Sequence, residues 1–135
     1  MTAEKRADDL EKASIDASVE GLKALLILNG GACISLLAFL SSMMGKEGIT
    51  DDQTKFVAGA TSALVFFAIA AGLAVVTCLL AYLANQAYSS HLRWREQYPR
   101  HWTYGLIWNR VGIVTTLGSL GLFFFGVYEI WSSAT

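Results

Sequence analysis

FVAGATSALVFFAIAAGLAVVTCLLAYLA, residues 56–84, runs for 29 residues without an Asp, Glu, Lys or Arg. About 20 apolar residues at 1.5 Å each cross the hydrocarbon core of a bilayer. The run therefore reads as a transmembrane helix, with length left over for tilt or for extension past the membrane. A soluble domain does not carry such a segment, and the whole chain agrees: 54% of its 135 residues are hydrophobic and 16% charged, with a mean hydropathy of +0.45. Soluble domains average about 45–50% apolar and about 25% charged residues. The same figures exclude disorder. A net charge of −1 supplies no field that would steer the chain to nucleic acid.

Upstream, ALLILNGGACISLLAFLSSMM at 24–44 is uncharged throughout and makes the first span. GKEGITDDQTK at 45–55 is a short polar loop, in which Thr50 precedes Asp51 and Asp52 as an N-cap precedes an acidic first turn. Downstream, YSSHLRWREQYPRHWTYG at 88–105 is basic and aromatic. Its Trp94, Tyr98, Trp102 and Tyr104, with Trp108, form an interfacial belt, and Pro99 breaks the helix there. Residues 106–131 give a third span, with Tyr128 and Trp131 at the opposite interface. Residues 1–21 are rich in charge, and Ile15, Val19, Leu22 and Leu26 fall on one helical face. No apolar h-region with a cleavage site opens the chain, so Met1 is expected to start the mature protein.

The fold expected is an all-α integral membrane protein. An amphipathic cytosolic helix occupies 1–21, a three-helix transmembrane domain occupies 22–131 with spans at about 22–44, 56–84 and 106–131, and 132–135 form a short tail. Lys5, Arg6, Lys12 and Lys23, together with Arg93, Arg95, Arg100 and Arg110, fall on one side of three such spans, against Lys46 and Lys55 on the other. Eight basic residues against two put the N-terminus in the cytoplasm and the C-terminus outside. The size and the missing signal peptide suggest a bacterial inner membrane.

Helix 3 carries the clearest pattern. Trp108, Gly112, Thr115, Ser119, Leu122, Gly126 and Glu129 share one face, small and polar along most of its length. Ile113, Leu117, Leu120, Phe124 and Trp131 form a bulky one. Lipid favours the bulky face, while the small one admits a neighbouring helix and gives it hydrogen-bond partners. On helix 2, Gly59 and Ala63, Ala68 and Gly72, and Ala70 and Ala74 are small pairs four residues apart. On helix 1, Asn29, Gly30 and Gly31 allow backbone contact or a kink, and Asn29 at membrane depth needs a polar partner. The expected helix-packing or oligomer face is thus Gly112, Thr115, Ser119 and Gly126 with Gly59, Ala63, Gly72, Asn29, Gly30 and Gly31. Arg93, Arg95 and Arg110 are candidate lipid-headgroup contacts. Glu129 is expected at the interface or paired with Lys46 or Lys55.

Chemistry-bearing motifs are missing. Cys33 and Cys78 sit at different depths and are expected as free, buried thiols. His91 and His101 flank the basic loop rather than facing each other inside the bundle, where a haem would need them. No nucleophile elbow, zinc-protease, P-loop or dinucleotide motif occurs, and no charge lies at midplane to drive transport. No enzyme activity and no cofactor are expected. The partners expected are the lipid bilayer and another copy of the chain or another membrane protein, with no nucleic acid. Association is one reading, as a homo-oligomer or as an accessory subunit of a larger membrane complex. The other is an oligomeric pore lined by Thr115, Ser119 and Glu129, with Ser62 and Thr77. In size and span number the chain resembles the phage holins, membrane-permeabilising proteins, but a three-span holin is expected to place its N-terminus outside.

The charge asymmetry makes a direct prediction. A membrane-impermeant maleimide applied to intact cells should label Lys46→Cys and Ala134→Cys and leave Lys12→Cys untouched; labelling of Lys12→Cys reverses the orientation.

Overall fold

A computed structural model of the chain describes residues 3–44, 48, 50–93 and 100–134. They form three helices: α1 at Ala3–Met44, α2 at Asp51–Arg93 and α3 at His101–Ala134. At 1.5 Å per residue these are about 63, 65 and 51 Å long. Each contains a stretch long and apolar enough to cross a membrane: Ile15–Met43, Asp51–Tyr88 and His101–Ala134.

The polar N-terminal segment and the first span form one unbroken helix, since α1 runs through Gly21 and through Gly30 and Gly31. The second loop is shorter than 88–105: α2 continues to Arg93 and α3 already begins at His101. Nothing in Tyr88–Arg93 interrupts the hydrogen-bond ladder, and the first turn of α3 closes when Tyr104 N–H donates to the Arg100 carbonyl (3.2 Å). Trp94, Tyr98 and the break expected at Pro99 lie outside the described residues.

The start of α2 is fixed by local chemistry. Gly48 takes a φ of 80°, a left-handed conformation that suits glycine in a reversing chain. Thr50 then caps the helix. The Gln53 N–H donates to Thr50 Oγ1 (3.3 Å), and the Thr50 N–H donates to Gln53 Oε1 (3.1 Å). This reciprocal capping box satisfies two otherwise orphaned donors. Asp51 and Asp52 add negative charge at the positive end of the helix dipole.

Helix α2 is the centre of the molecule. It packs against α3 over most of its length and against α1 less extensively, while α1 and α3 scarcely meet. Small residues dominate the interior: Ala60, Ala63, Ala70, Ala74 and Ala84 on α2 are buried, with Phe67 and Leu80 as its larger members. Bulky side chains point outward, as at Ile27 (73% exposed), Ile34 (70%) and Val114 (68%). This inverts the arrangement of a water-soluble core. It suits a solvent as apolar as leucine, in which packing and hydrogen bonds, not burial of apolar area, hold helices together.

Loss of the cap should act locally. Thr50→Ala is expected to cost about 1 kcal/mol and to speed amide hydrogen exchange at Asp52 and Gln53, leaving the α2–α3 contact protected; slowed or unchanged exchange there removes the capping role.

Candidate functional site

The buried residues of α3 are Gly105, Gly112, Ser119 and Gly126, each seven positions after the last. On α2 all the buried residues but Leu80 fall into two lines of the same period, Ala63–Ala70–Thr77–Ala84 and Ala60–Phe67–Ala74. A seven-residue period keeps one line of each helix on its partner as the two wind around each other to the left.

Each glycine of the seam takes something from the partner helix into the space of its missing side chain. The Tyr88 ring lies over Gly105, so a Cβ there would approach it to 2.6 Å, and the Phe67 ring fills Gly126, where a Cβ would stand 2.9 Å away. At the far end the relation reverses, and Ser133 of α3 occupies the space beside Gly59 of α2. Gly112 is looser, with Leu80 Cβ at 3.8 Å and Thr77 Cγ2 at 3.9 Å. Ring pairs flank the line: Phe66 with Phe125 (4.9 Å between centroids), Phe67 with Phe123 (5.4 Å) and Tyr88 with Trp102 (5.0 Å).

Polar groups in the seam are spent on each other. The fully buried Ser119 hydroxyl donates across the interface to the Ala70 carbonyl (2.8 Å). Thr77 Oγ1 and Thr115 Oγ1 are 2.7 Å apart, and each also faces a carbonyl of its own helix, Leu73 at 2.9 Å and Gly112 at 2.9 Å. Two hydroxyls have two protons for these three contacts. Either Thr115 donates to Thr77 and Thr77 to Leu73, or the chain runs the other way, from Thr77 through Thr115 to Gly112. A third hydroxyl, Thr116, also donates to the Gly112 carbonyl (2.9 Å).

Helix α1 joins through its own line of seven, Leu22–Asn29–Leu36–Met43, of which Leu22, Asn29 and Met43 are buried and Leu36 half-buried. Phe39 stacks edge-on against Phe56 (5.4 Å), and the Cys33 thiol sits 3.9 Å from the Leu64 carbonyl. Asn29 is wholly enclosed. Its Nδ2 donates to the Leu25 carbonyl (2.8 Å), while its Oδ1 has no hydrogen-bond partner among the described residues.

The expected face residues thus fall into three groups. Gly112, Thr115, Ser119, Gly126, Gly59 and Ala63 meet in the α2–α3 contact. Asn29 lies buried on α1. Gly30, Gly31 and Gly72 stand free, with no atom within 4 Å of where a Cβ would be. Gly105 and Ser133 extend the seam beyond the stretch singled out in the sequence. Cys33 and Cys78 are free, but Cys78 is exposed and Cys33 half-buried rather than enclosed, because Cys78 stands one residue, about 100°, beyond the buried Thr77. Arg110 is exposed on α3; the side chain of Arg93, and Lys46 and Arg95 altogether, lie outside the described residues. Among the described residues no three His, Cys, Asp or Glu gather into a metal-binding group.

Compared with family models, curated proteins and solved structures, the chain matches none.

The seam sorts its glycines by the room they have. Gly112→Ala should be neutral or stabilising by up to about 1 kcal/mol, since a methyl fits and helix propensity improves. Gly126→Ala should cost about 1–3 kcal/mol by forcing the Phe67 ring aside. Gly112→Leu and Ser119→Leu should lower the melting temperature in detergent more than Leu117→Ala, whose side chain is 63% exposed. Equal shifts across the set refute this assignment of the packing line.

Proposed function

We propose that this chain is a small, non-enzymatic integral membrane protein, oriented with its N-terminus in the cytoplasm of a bacterial cell, that works by helix–helix association. It assembles as a homo-oligomer or serves as an accessory subunit of a larger membrane complex. The observation that carries this reading is the Ala68–Gly72 pair. Both residues are exposed, and Gly72 stands at the midpoint of α2 with nothing within 4 Å of its Cβ position. A small-xxx-small pair facing outward at mid-membrane lets a further helix approach closely. The other small pairs of α2, at Gly59 and Ala63 and at Ala70 and Ala74, are consumed within the protomer. The charged N-terminal part of α1 adds a surface on which a cytoplasmic partner can dock.

The pore reading draws less support. Thr115, Ser119 and Thr77, three of the five hydroxyl and carboxyl groups expected to line a channel, are committed to hydrogen bonds inside one protomer.

Native mass measurement of the full chain in lipid nanodiscs tests the proposal. A defined oligomer is expected, and Gly72→Leu should reduce it to the 14.6 kDa protomer at unchanged melting temperature. If the wild type is already monomeric, a partner should co-purify from native membranes and be lost in Gly72→Leu. A monomer without such a partner, or an assembly indifferent to Gly72→Leu, overturns the reading.

A further inference from the structure

Because α1 leans on α2 without closing on α3, a cleft of about 360 Å³ is left between α1 and α3. Its walls are Gly21, Leu22 and Leu25 of α1, Ala81 of α2, and Ile113 and Leu117 of α3, with Trp108 and Asn109 at the end nearest the start of α3. The volume lies within the range of ligand sites, about 300–1,000 Å³.

The hydroxyls in these walls ask for nothing. Thr77 and Thr116 hydroxyls are already bonded within the seam and to the Gly112 carbonyl, and Ser18 has an interaction of its own. An occupant of the interior is therefore apolar. The rim is different. Arg110, Ile113 and Leu117 follow one stripe of α3 at i, i+3 and i+7, so Arg110 stands about one turn from the lining residue Ile113, on the side of the helix start. Side chains on a helix lean toward its N-terminus, so Arg110, which is not itself a wall of the cleft, stands beside its end nearest the start of α3. Lys23, at the same level on α1, is held by Glu20 (2.8 Å). Among the described residues no ion pair engages Arg110.

An apolar slot ending under a cation without a counter-ion fits one class of molecule in a membrane. We propose that the cleft binds one acyl chain of an anionic phospholipid, whose phosphate is held at the rim by Arg110. Asn109, exposed beside it, places an amide within reach of the same headgroup region. The proposal rests on the membrane reading but not on oligomerisation, because every wall of the cleft belongs to one protomer.

Native mass spectrometry of the full chain in detergent, titrated with dioleoyl phosphatidylglycerol or dioleoyl phosphatidylcholine, tests it. One phosphatidylglycerol should be retained about fivefold more tightly than phosphatidylcholine, the weight of one cation at an anionic headgroup. Gly21→Leu puts a side chain into the cleft from a position with nothing within 4 Å, so the protomer keeps its melting temperature while retention of both lipids falls about tenfold. Arg110→Gln should abolish the preference by lowering phosphatidylglycerol retention to that of phosphatidylcholine. A second readout is fluorescence: with Trp94, Trp102 and Trp131 replaced by Phe, acyl-brominated phosphatidylglycerol should quench Trp108, and Gly21→Leu should relieve the quenching. Equal retention of the two lipids by the wild type, a preference that survives Arg110→Gln, or Gly21→Leu behaving as wild type in both assays overturns the proposal.

Discussion

The distance at which α2 and α3 can approach each other governs the rest of the structure. In lipid there is no gain from hiding leucine, so helices that stay together do so through contact density and hydrogen bonds. The line Gly105–Gly112–Ser119–Gly126 removes side chains where α2 must come close, and the rings of Tyr88 and Phe67 fill the space so created. Backbone proximity then makes the cross-helix bond from Ser119 to the Ala70 carbonyl available. A single hydroxyl of this kind is worth about 0.6 kcal/mol inside a membrane protein. It helps fix the register rather than dominating the stability, most of which comes from the continuous contact of the two helices.

Helix α1 shows what happens without such a line. Its own seam, Leu22–Asn29–Leu36–Met43, carries bulkier residues, and it touches α2 while leaving α3 almost free. Near the α1–α2 turn the contact is tight, with Phe39 on Phe56. Toward the other end the cleft opens between α1 and α3. Asn29 sits between these regions as the polar member of an otherwise apolar line. An unsatisfied buried acceptor costs about 1–3 kcal/mol, and the one hydrogen bond of Asn29 is to its own helix, at the Leu25 carbonyl. Asn29 therefore weakens the hold of α1 on α2.

The sequence made the three helices legible because uncharged runs of this length have no other use. The small face of α3 was legible too, since Gly112, Thr115, Ser119 and Gly126 keep their spacing through a span of bulky residues. Gly105 is not legible because the basic, aromatic run 88–105 reads as a loop to its end, and hydropathy gives no sign that α3 continues back to His101 through Trp102 and Tyr104. Ser133 is hidden in what reads as a tail four residues long. The period of seven was present in Ala63, Ala70, Thr77 and Ala84, but alanine is so frequent in this span that the line does not stand out from its neighbours. Inward and outward small pairs cannot be told apart by composition: Gly59 and Gly72 belong to similar pairs, yet one receives Ser133 and the other faces open space.

That difference has a geometric consequence for how the molecule can be occupied. At 100° per residue, Ala81 lies about 180° around α2 from Gly72, and Thr77 about 140°. The cleft that these two residues help to line and the exposed Ala68–Gly72 pair are therefore on opposite sides of the central helix. A helix docking on Gly72 and a lipid chain lying between α1 and α3 do not compete for the same surface. They are nevertheless linked through α2, because filling the cleft supports α1, whose hold on the rest of the protein is the weaker of the two packing contacts. An apolar molecule in the cleft stabilises the arrangement of three helices by binding only the folded state, and it does so without loosening the α2–α3 seam that presents Gly72 outward.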